Sequence, residues 1–136
     1  MGAESIEETY RGYIAALNDR RFDQLSRFVH DEVVRNDRSM SCEAYAAERA
    51  EEARAIPDLC YEVDLLVADG DHVAARLLFE CTPTGEFLGL PVNGRTVRFA
   101  EHVFYRFREC RIEHVWSLLD VEAVRAALAA DPLSST

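Results

Sequence analysis

The chain has 136 residues, an apolar fraction of 49% and a formal net charge of −10. This apolar fraction excludes a disordered chain, and the length fits one domain that buries about two-thirds of its unfolded surface. The acidic charge argues against nucleic acid and anionic membranes as partners, because both attract basic patches. No apolar run approaches the ~20 residues that span a bilayer, and the acidic start MGAESIEETY lacks secretory-signal features. We expect one cytoplasmic domain over residues 1–136.

The first part of the chain has helical periodicity. Apolar residues recur at helical spacing over 6–18, a shorter stripe fits 22–29, and Ser39 or Ser41 is a suitable cap for a helix over 42–55. A short extended piece at Val33-Val34 separates the second and third helices. The third helix has a heavily charged face, most simply interpreted as solvated surface. That face consists of Glu48, Arg49, Glu51, Glu52 and Arg54.

After Pro57 the periodicity changes from helical to alternating, which indicates strands. The predicted elements are strands over 61–68, 72–82, 96–107 and 111–119, and a last helix over 121–130. Asp69-Gly70-Asp71 is a hairpin signal between the first two strands, and residues 83–94 form a loop rich in Gly and Pro. Helices followed by an antiparallel meander predict an α+β domain whose sheet buries one face on the helices.

The strand over 96–107 alternates almost without exception, and one carboxylate stands on its apolar face. This face holds Val97, Phe99, Glu101, Val103, Tyr105 and Phe107. Burial of an unpaired carboxylate is costly or raises its pKa. Glu101 is therefore a core carboxylate paired with an arginine such as Arg35 or Arg76, a general acid or base in a pocket, or a residue on an exposed face. Tyr105, on the same face, is either a core aromatic residue or a hydrogen-bond donor to a substrate oxygen.

The faces of the last strand are less clear. One face holds Ile112, His114, Trp116 and Leu118, and the other holds Arg111, Glu113, Val115, Ser117 and Leu119. Trp116 is interpreted as a packing or interface residue, and His114 as a structural histidine. Arg35, Asn36 and Asp37 follow Val33-Val34 and form either a simple turn or a loop at a pocket mouth.

No motif for a cofactor or a metal occurs in the sequence. GxGxxG, GxxxxGK[ST] and GxSxG are absent, and the four histidines lack HxxxH or HxH spacing. We therefore expect neither a cofactor nor a metal. The four cysteines are scattered without a CxxC pair, which indicates reduced thiols of a cytosolic protein.

The segment GEFLGLPVNGRTVRFAEHVFYRFRECRIEHVWSLLD resembles the SnoaL-like polyketide cyclases and ester cyclases of the nuclear-transport-factor-2-like superfamily. The features that carry the resemblance are a G-x-F-x-G-x-P turn, a Gly-Arg pair, a long strand ending in Phe-Tyr-Arg-Phe and a closing strand before a Leu/Ala helix. The turn and the pair consist of Gly85, Phe87, Gly89, Pro91, Gly94 and Arg95. The N-terminal half fits as well, so the similarity covers nearly the whole chain.

The resemblance implies a cone, in which a curved antiparallel sheet surrounds a hydrophobic pocket closed by the N-terminal helices. Proteins of this type usually form a homodimer through the outer face of the sheet. The cyclases close a ring by intramolecular aldol chemistry without cofactor or metal, using an Asp on the last strand and a His on the long strand. A gap-free register puts Ser117 at the Asp position and Val103 at the His position, so both groups are replaced here. Glu101 lies at a neighbouring position facing the pocket, and Arg35 falls where those cyclases carry a polar pocket residue.

Three hypotheses follow for the function. The first is a cofactor-independent cyclase, isomerase or lyase acting on a hydrophobic carbonyl or polyketide-like substrate, with Glu101 moving the proton. The second is a non-catalytic protein that binds a small hydrophobic molecule, and the third is an interaction module whose cone is filled by side chains. In the first, Tyr105, Ser117 and Arg35 hydrogen-bond the oxygen on which charge develops. The residues predicted to contact the substrate are Arg35, Asn36, Tyr13, Phe99, Val103 and Val115.

The other face of the strand over 96–107 predicts self-association. It carries Arg98, Ala100, His102, Phe104 and Arg106, a mixed surface on a long strand. One layer of helices covers only one side of the sheet, so we expect the outer side to bury against a second copy in a homodimer.

Overall fold

The structure, a computed structural model, describes residues 3–84, 87–92 and 94–129, with side chains described from residue 6 onward. Its elements are α1 (Ala3–Asn18), a 3₁₀ helix (Phe22–Arg27), β1 (Val29–Arg35), β2 (Arg38–Ser41), α2 (Cys42–Ala55), β3 (Glu62–Asp69), β4 (His72–Cys81), β5 (Val97–Arg108), β6 (Arg111–Leu119) and α3 (Val121–Ala129). No helix in the described part of the chain is long and apolar enough to span a bilayer.

The six strands form one curved, open sheet in the order β2-β1-β6-β5-β4-β3. Strands β3 to β6 make the predicted antiparallel meander, and β4 pairs with β5 continuously from His72 opposite Arg106 to Cys81 opposite Val97. The predicted α+β class with a curved sheet and helices is confirmed. One strand pair differs from the expected antiparallel sheet, because β1 runs parallel to β6. β1 thereby covers the edge that β6, the last strand of the meander, would otherwise leave unpaired.

The region between α1 and α2 differs most from the sequence prediction. The predicted helix over 22–29 is a shorter 3₁₀ helix, and the extended piece is a seven-residue strand followed by a second strand, β2. Val29 and Val33 are fully buried, while the two acidic residues between them on β1 are exposed. The register of β1 against β6 shifts within this stretch, so the sequence lacks regular alternation.

Two side chains cap helices, and the cap of α2 is Ser41, one of the two serines that the sequence predicted. Ser41 Oγ accepts a hydrogen bond from the Ala44 backbone N–H at 3.0 Å and begins α2. Asp120 Oδ1 accepts one from the Ala123 N–H at 3.1 Å and begins α3. These caps satisfy backbone donors that have no partner within the helix.

The two faces of the sheet have different surroundings. The inner face packs against α1 and α2, and its buried side chains include Val73, Leu77, Val97, Val103, Tyr105, Ile112 and Val115. The outer face exposes large apolar side chains, namely Leu65, Val67, Phe104, Trp116 and Leu118. The inner face therefore positions the site described next.

Candidate functional site

A cavity of about 290 Å³ lies between the inner face of the sheet and the helices α1 and α2. Small-molecule pockets start at roughly 300 Å³, so this cavity is at the small end of that class. Its wall is largely apolar and aromatic, and the rings of Phe79 and Phe99 stack with centroids 5.0 Å apart. The cone is not filled by side chains, which argues against the third hypothesis.

All nine residues predicted to act on or contact a substrate line this cavity. They are Glu101, Tyr105, Ser117, Arg35, Asn36, Tyr13, Phe99, Val103 and Val115. β5 and β6 bring six of them together because alternate residues of paired strands share a face. Val103 lies opposite Ser117 in the strand register, and Tyr105 lies opposite Val115. The roles of these residues stay predictions, since a position on a cavity wall does not by itself assign a chemical step.

The carboxyl group of Glu101 is bonded to a hydroxyl rather than to a cation. Ser117 Oγ donates a hydrogen bond to Glu101 Oε2. No arginine in the described part of the chain lies within salt-bridge distance of Glu101, and the chain contains no lysine. Arg76 pairs instead with Asp64, with 2.7 Å between Nη1 and Oδ2. The expected alternative of a core ion pair with Arg76 is therefore wrong.

The surroundings of Glu101 favour its neutral form. Burial raises the pKa of Glu101, and the negative charge of Glu52 raises it further. The hydrogen bond from Ser117 lowers this pKa, as do the positive charges of Arg35 and Arg49, but the net shift is upward. A carboxyl group with a raised pKa on a cavity wall is a candidate proton donor or acceptor at neutral pH.

Asn36 links the turn between β1 and β2 to β6. Its backbone has a φ of 55°, in the left-handed region that Asn tolerates better than most residues. The Asn36 N–H donates to the Val115 carbonyl oxygen at 2.7 Å, and Asn36 Oδ1 accepts from the Ser117 N–H at 2.9 Å. These bonds fix the backbone of Ser117, so Asn36 supports the bond between Ser117 and Glu101 in addition to lining the cavity mouth.

Four tyrosines meet where α1, α2 and β5 come together. Tyr10 Oη donates to Tyr105 Oη at 3.3 Å, and the hydroxyl groups of Tyr13 and Tyr45 are 2.6 Å apart. Burial raises the pKa of Tyr13 and of Tyr105 well above the ordinary value. These phenols are therefore neutral at physiological pH and keep their protons for hydrogen bonding.

The inner face of α2 is the part of the site that the sequence prediction missed. Tyr45, Arg49 and Glu52 all line the cavity, although Arg49 and Glu52 were assigned to a solvated face. Arg49 is only 7% exposed, and it donates to Glu52 through Nε at 3.0 Å and through Nη2 at 3.3 Å. The signal was the helical spacing i, i+4, i+7 of these three residues, which places them on one face.

The cavity wall, as far as the structure describes it, includes no histidine. Over residues 3–84, 87–92 and 94–129, no three or more His, Cys, Asp and Glu side chains are grouped so that they could hold a metal ion. His114 lies on the other face of β6, where its ring stacks on Trp116 with centroids 3.8 Å apart.

An α+β fold in which a curved, open sheet and helices enclose a largely apolar cavity belongs to the class of nuclear-transport-factor-2-like folds, as do its structural neighbours. Within that class, the family model for SnoaL-like polyketide cyclases matches residues 7–128. The chain therefore belongs to the SnoaL-like polyketide cyclase family. A comparison with curated proteins finds no match.

Solved structures agree with this assignment. A SnoaL-like polyketide cyclase from Agrobacterium tumefaciens strain C58 is 43% identical, with a TM-score of 0.88 over 91% of this chain and 98% of that one. TsrD from Streptomyces laurentii is 22% identical, with a TM-score of 0.86 over 96% of this chain and 99% of that one. IdmH from Streptomyces antibioticus is 23% identical, with a TM-score of 0.80 over 92% and 99% of the two chains. The latter two support the fold alone.

Proposed function

We propose that the protein is a cofactor-independent enzyme that moves a proton on a hydrophobic carbonyl or polyketide-like substrate, as a cyclase, isomerase or lyase. Glu101 carries the proton, the Ser117 hydroxyl holds its carboxyl group by a hydrogen bond, and Tyr105 and Arg35 hydrogen-bond the oxygen on which negative charge develops. Membership of the SnoaL-like family supports a cofactor-free cyclase-type function in general terms. The apolar wall excludes water, which strengthens each of these polar contacts.

The bond between Ser117 and Glu101 is the observation that carries this proposal. In the resembling cyclases the acid/base Asp corresponds to Ser117, and the partner His corresponds to Val103 on the facing strand. Here a carboxyl group from the neighbouring strand, that of Glu101, is hydrogen-bonded to the Ser117 hydroxyl. A carboxyl group is thus available close to the same part of the cavity, supplied by β5 instead of β6.

A non-catalytic ligand-binding protein is the alternative function. The absence of an Asp and a His at the positions of Ser117 and Val103 favours it, because the best-understood acid/base pair of the family is replaced. In that function the protonated Glu101 only donates a hydrogen bond to an oxygen of the ligand.

Proton exchange on a probe ketone tests the catalytic proposal without knowledge of the natural substrate. 2-Tetralone, a bicyclic ketone, exchanges the protons next to its carbonyl for deuterium in buffered D₂O, and NMR follows the exchange. We expect the protein to accelerate this exchange and Glu101→Gln to lower the acceleration by about 10²–10⁴-fold, as is typical for loss of general acid–base catalysis. Equal acceleration by both proteins would contradict the role of Glu101, and no acceleration by the unmodified protein would favour the binding function.

We also propose that the protein is a homodimer through the outer face of the sheet. The exposed apolar side chains on that face support this assembly, because a monomer rarely leaves so many of them together in water. Cytoplasmic location is part of the same proposal. Its support is that Cys42, Cys60, Cys81 and Cys110 are all unpaired, as thiols are in reducing compartments.

A further inference from the structure

We propose that the paired hydroxyl groups of Tyr13 and Tyr45 form a second polar site in the cavity, which binds the carbonyl or enolate oxygen of the substrate. The site is on the helix side of the cavity, since Tyr13 belongs to α1 and Tyr45 to α2, whereas Glu101 belongs to the sheet. The inference rests on the proposed function for the identity of the bound molecule as a carbonyl compound.

The two hydroxyl groups have one more proton than their mutual hydrogen bond uses. Tyr13 and Tyr45 are 2% and 1% exposed, and each has one O–H proton. Their mutual hydrogen bond of 2.6 Å uses one proton, and neither hydroxyl has another hydrogen bond in the described part of the chain. One proton of the pair therefore remains available as a donor. Since Phe would fill the same space without a buried polar group, packing alone does not explain two hydroxyls here.

The ion pair between the buried Arg49 and the partly exposed Glu52 helps to hold the Tyr45 ring in position. The Arg49 guanidinium lies over the Tyr45 ring, with its carbon 4.8 Å from the ring centroid, and is held at its other side by the two hydrogen bonds to Glu52. Arg49 is thus a positioning residue for the phenol. Its interaction with Glu52 restrains the guanidinium, and the guanidinium in turn restrains the Tyr45 ring over which it lies.

The positive charge of Arg49 acts on the hydroxyl pair. Burial raises the pKa of Tyr13 and the neighbouring Tyr45 raises it further, whereas the positive charge of Arg49 lowers it. The positive charge of Arg49 is therefore close enough to stabilise negative charge on an oxygen at the hydroxyl pair. A neutral donor next to a buried cation suits an oxygen that becomes more negative during a reaction.

These features fit a substrate with an enolisable ketone. Ionised Glu101 removes a proton from the carbon next to the carbonyl, so that the C–H bond breaks and an O–H bond forms on the carboxyl group. The electron pair moves into the C–C–O unit and gives an enolate, whose oxygen accepts the free phenolic proton in a hydrogen bond. Return of the proton from Glu101 to carbon converts the enolate back to a ketone and leaves Glu101 ionised again.

The test compares two probes that differ only in the oxygen, 2-tetralone and tetralin. NMR titration gives the affinity of each probe, and the ratio of the two affinities isolates the contribution of the carbonyl group. We expect the double variant Tyr13→Phe/Tyr45→Phe to reduce this ratio by about 3–10-fold, which corresponds to loss of one neutral hydrogen bond. Removal of both hydroxyls leaves no stranded partner, so the double variant should fold. Tyr10→Phe, which deletes a buried hydroxyl from a residue that does not line the cavity, should keep the ratio.

An unchanged ratio in the double variant, equal losses in Tyr10→Phe, or no preference of the unmodified protein for the ketone would overturn the inference. The Glu101→Gln variant separates this result from the catalytic proposal. If exchange depends on Glu101 while the double variant keeps the ratio, the proposed function stands and the tyrosine site fails. If the affinity ratio falls in the double variant while Glu101→Gln accelerates exchange as well as the unmodified protein, the tyrosine site stands and the proposed function fails.

Discussion

The two largest effects on the pKa of Glu101 oppose each other. The location of its carboxyl group on the inner face of β5 removes it from water and favours the neutral form, whereas the hydrogen bond from Ser117 stabilises the ionised form. The net effect is a raised pKa for Glu101. The size of this shift depends on the hydroxyl of Ser117, which lies on the neighbouring strand β6. Ser117, at the position that the resemblance assigns to an aspartate, therefore still affects acid/base chemistry by lowering the pKa of Glu101.

Ser117→Ala should raise the pKa of Glu101 further, because the variant removes the hydrogen bond that favours the carboxylate. A ¹³C NMR titration of the side-chain carboxyl groups measures this pKa directly. Ser39→Ala is the matched control, since Ser39 Oγ donates to Glu32 Oε1 at 3.1 Å on an exposed surface. It should leave the pKa of Glu101 unchanged, and a Glu101 pKa that stays constant or falls in Ser117→Ala would contradict this account.

Asn36→Gly should lower the free energy of unfolding by about 0.5–1.5 kcal/mol, the net contribution of one hydrogen bond. Glycine adopts the left-handed φ of 55° without strain, so the turn is kept and only the Oδ1 acceptor for the Ser117 N–H is lost. Asn36→Asp keeps an acceptor oxygen and should retain most of the stability. Denaturant unfolding of the three proteins measures the differences, and full stability in Asn36→Gly would show that the bond to β6 is not needed.

At the scale of elements, α2 has an outer surface of exposed ion pairs and an inner surface that completes the cavity. Arg54 and Glu51 form a pair in which both side chains are more than two-thirds exposed, so it stabilises little. Arg49 and Glu52 form a pair in which the arginine is almost fully buried. Removal of one partner of such a pair costs far more than removal of both.

Arg49→Met should lower the free energy of unfolding by about 1–3 kcal/mol, the cost of a polar group left without its partner. The cost stays below that of a fully buried pair because the Glu52 side chain is 45% exposed. The double variant Arg49→Met/Glu52→Gln should recover part of the loss, since no unpaired charge then faces the cavity. Denaturant unfolding of both variants and of Glu52→Gln completes the cycle, and additive losses would exclude a coupled pair.

The elements differ in how far the sequence could predict them. The strands β3 to β6 were predicted to within about a residue, because apolar and polar residues alternate across a sheet with one buried face. Only Val33-Val34 of β1 was predicted as extended, because the register of this strand shifts between Val29 and Val34, and β2 was not predicted because its residues are largely exposed. β1 is stabilised by pairing with β6, which lies far along the chain, and β2 by pairing with β1, so neither strand depends on a local pattern alone.

The candidate site also contains residues that the sequence could predict and residues that it could not. Glu101 was recognisable because a carboxylate on an apolar face breaks a regular pattern. Arg49 and Glu52 were not, because a charged helix residue is normally solvated and only contacts from other segments bury it. The cavity side of α2 depends on how α1 and the sheet pack around it, and no local pattern records that packing.

At the scale of the whole molecule, the two faces of the sheet have separate functions in this account. The inner face holds the cavity, and the outer face carries a row in which Phe104 lies opposite Trp116, with Leu118 further along β6. Phe104 is 58% exposed and Leu118 is 75% exposed. Because none of the described residues that line the cavity lies on the outer face, changes on that face should alter assembly without altering the site.

Light scattering across the micromolar range should report a dimer for the unmodified protein and a monomer for Leu118→Glu, which places a charge in the proposed interface. Ala47→Glu introduces the same charge at an exposed position on α2 and should remain dimeric. A monomeric mass for the unmodified protein throughout this range would contradict the proposed interface.

The stability of the unmodified protein and of Glu101→Gln, measured as a function of pH, tests whether the fold raises the pKa of Glu101. A carboxyl group whose pKa is higher in the folded than in the unfolded state stabilises the fold when protonated, and this stabilisation is lost as pH rises through the folded-state pKa. Glu101→Gln resembles the protonated form, so at neutral pH it should melt at the same or a higher temperature than the unmodified protein. The difference should shrink as pH falls through the raised pKa towards the ordinary glutamate value of about 4.3. A variant destabilised at neutral pH by about 3–5 kcal/mol would instead identify Glu101 as half of a buried ion pair and contradict the account.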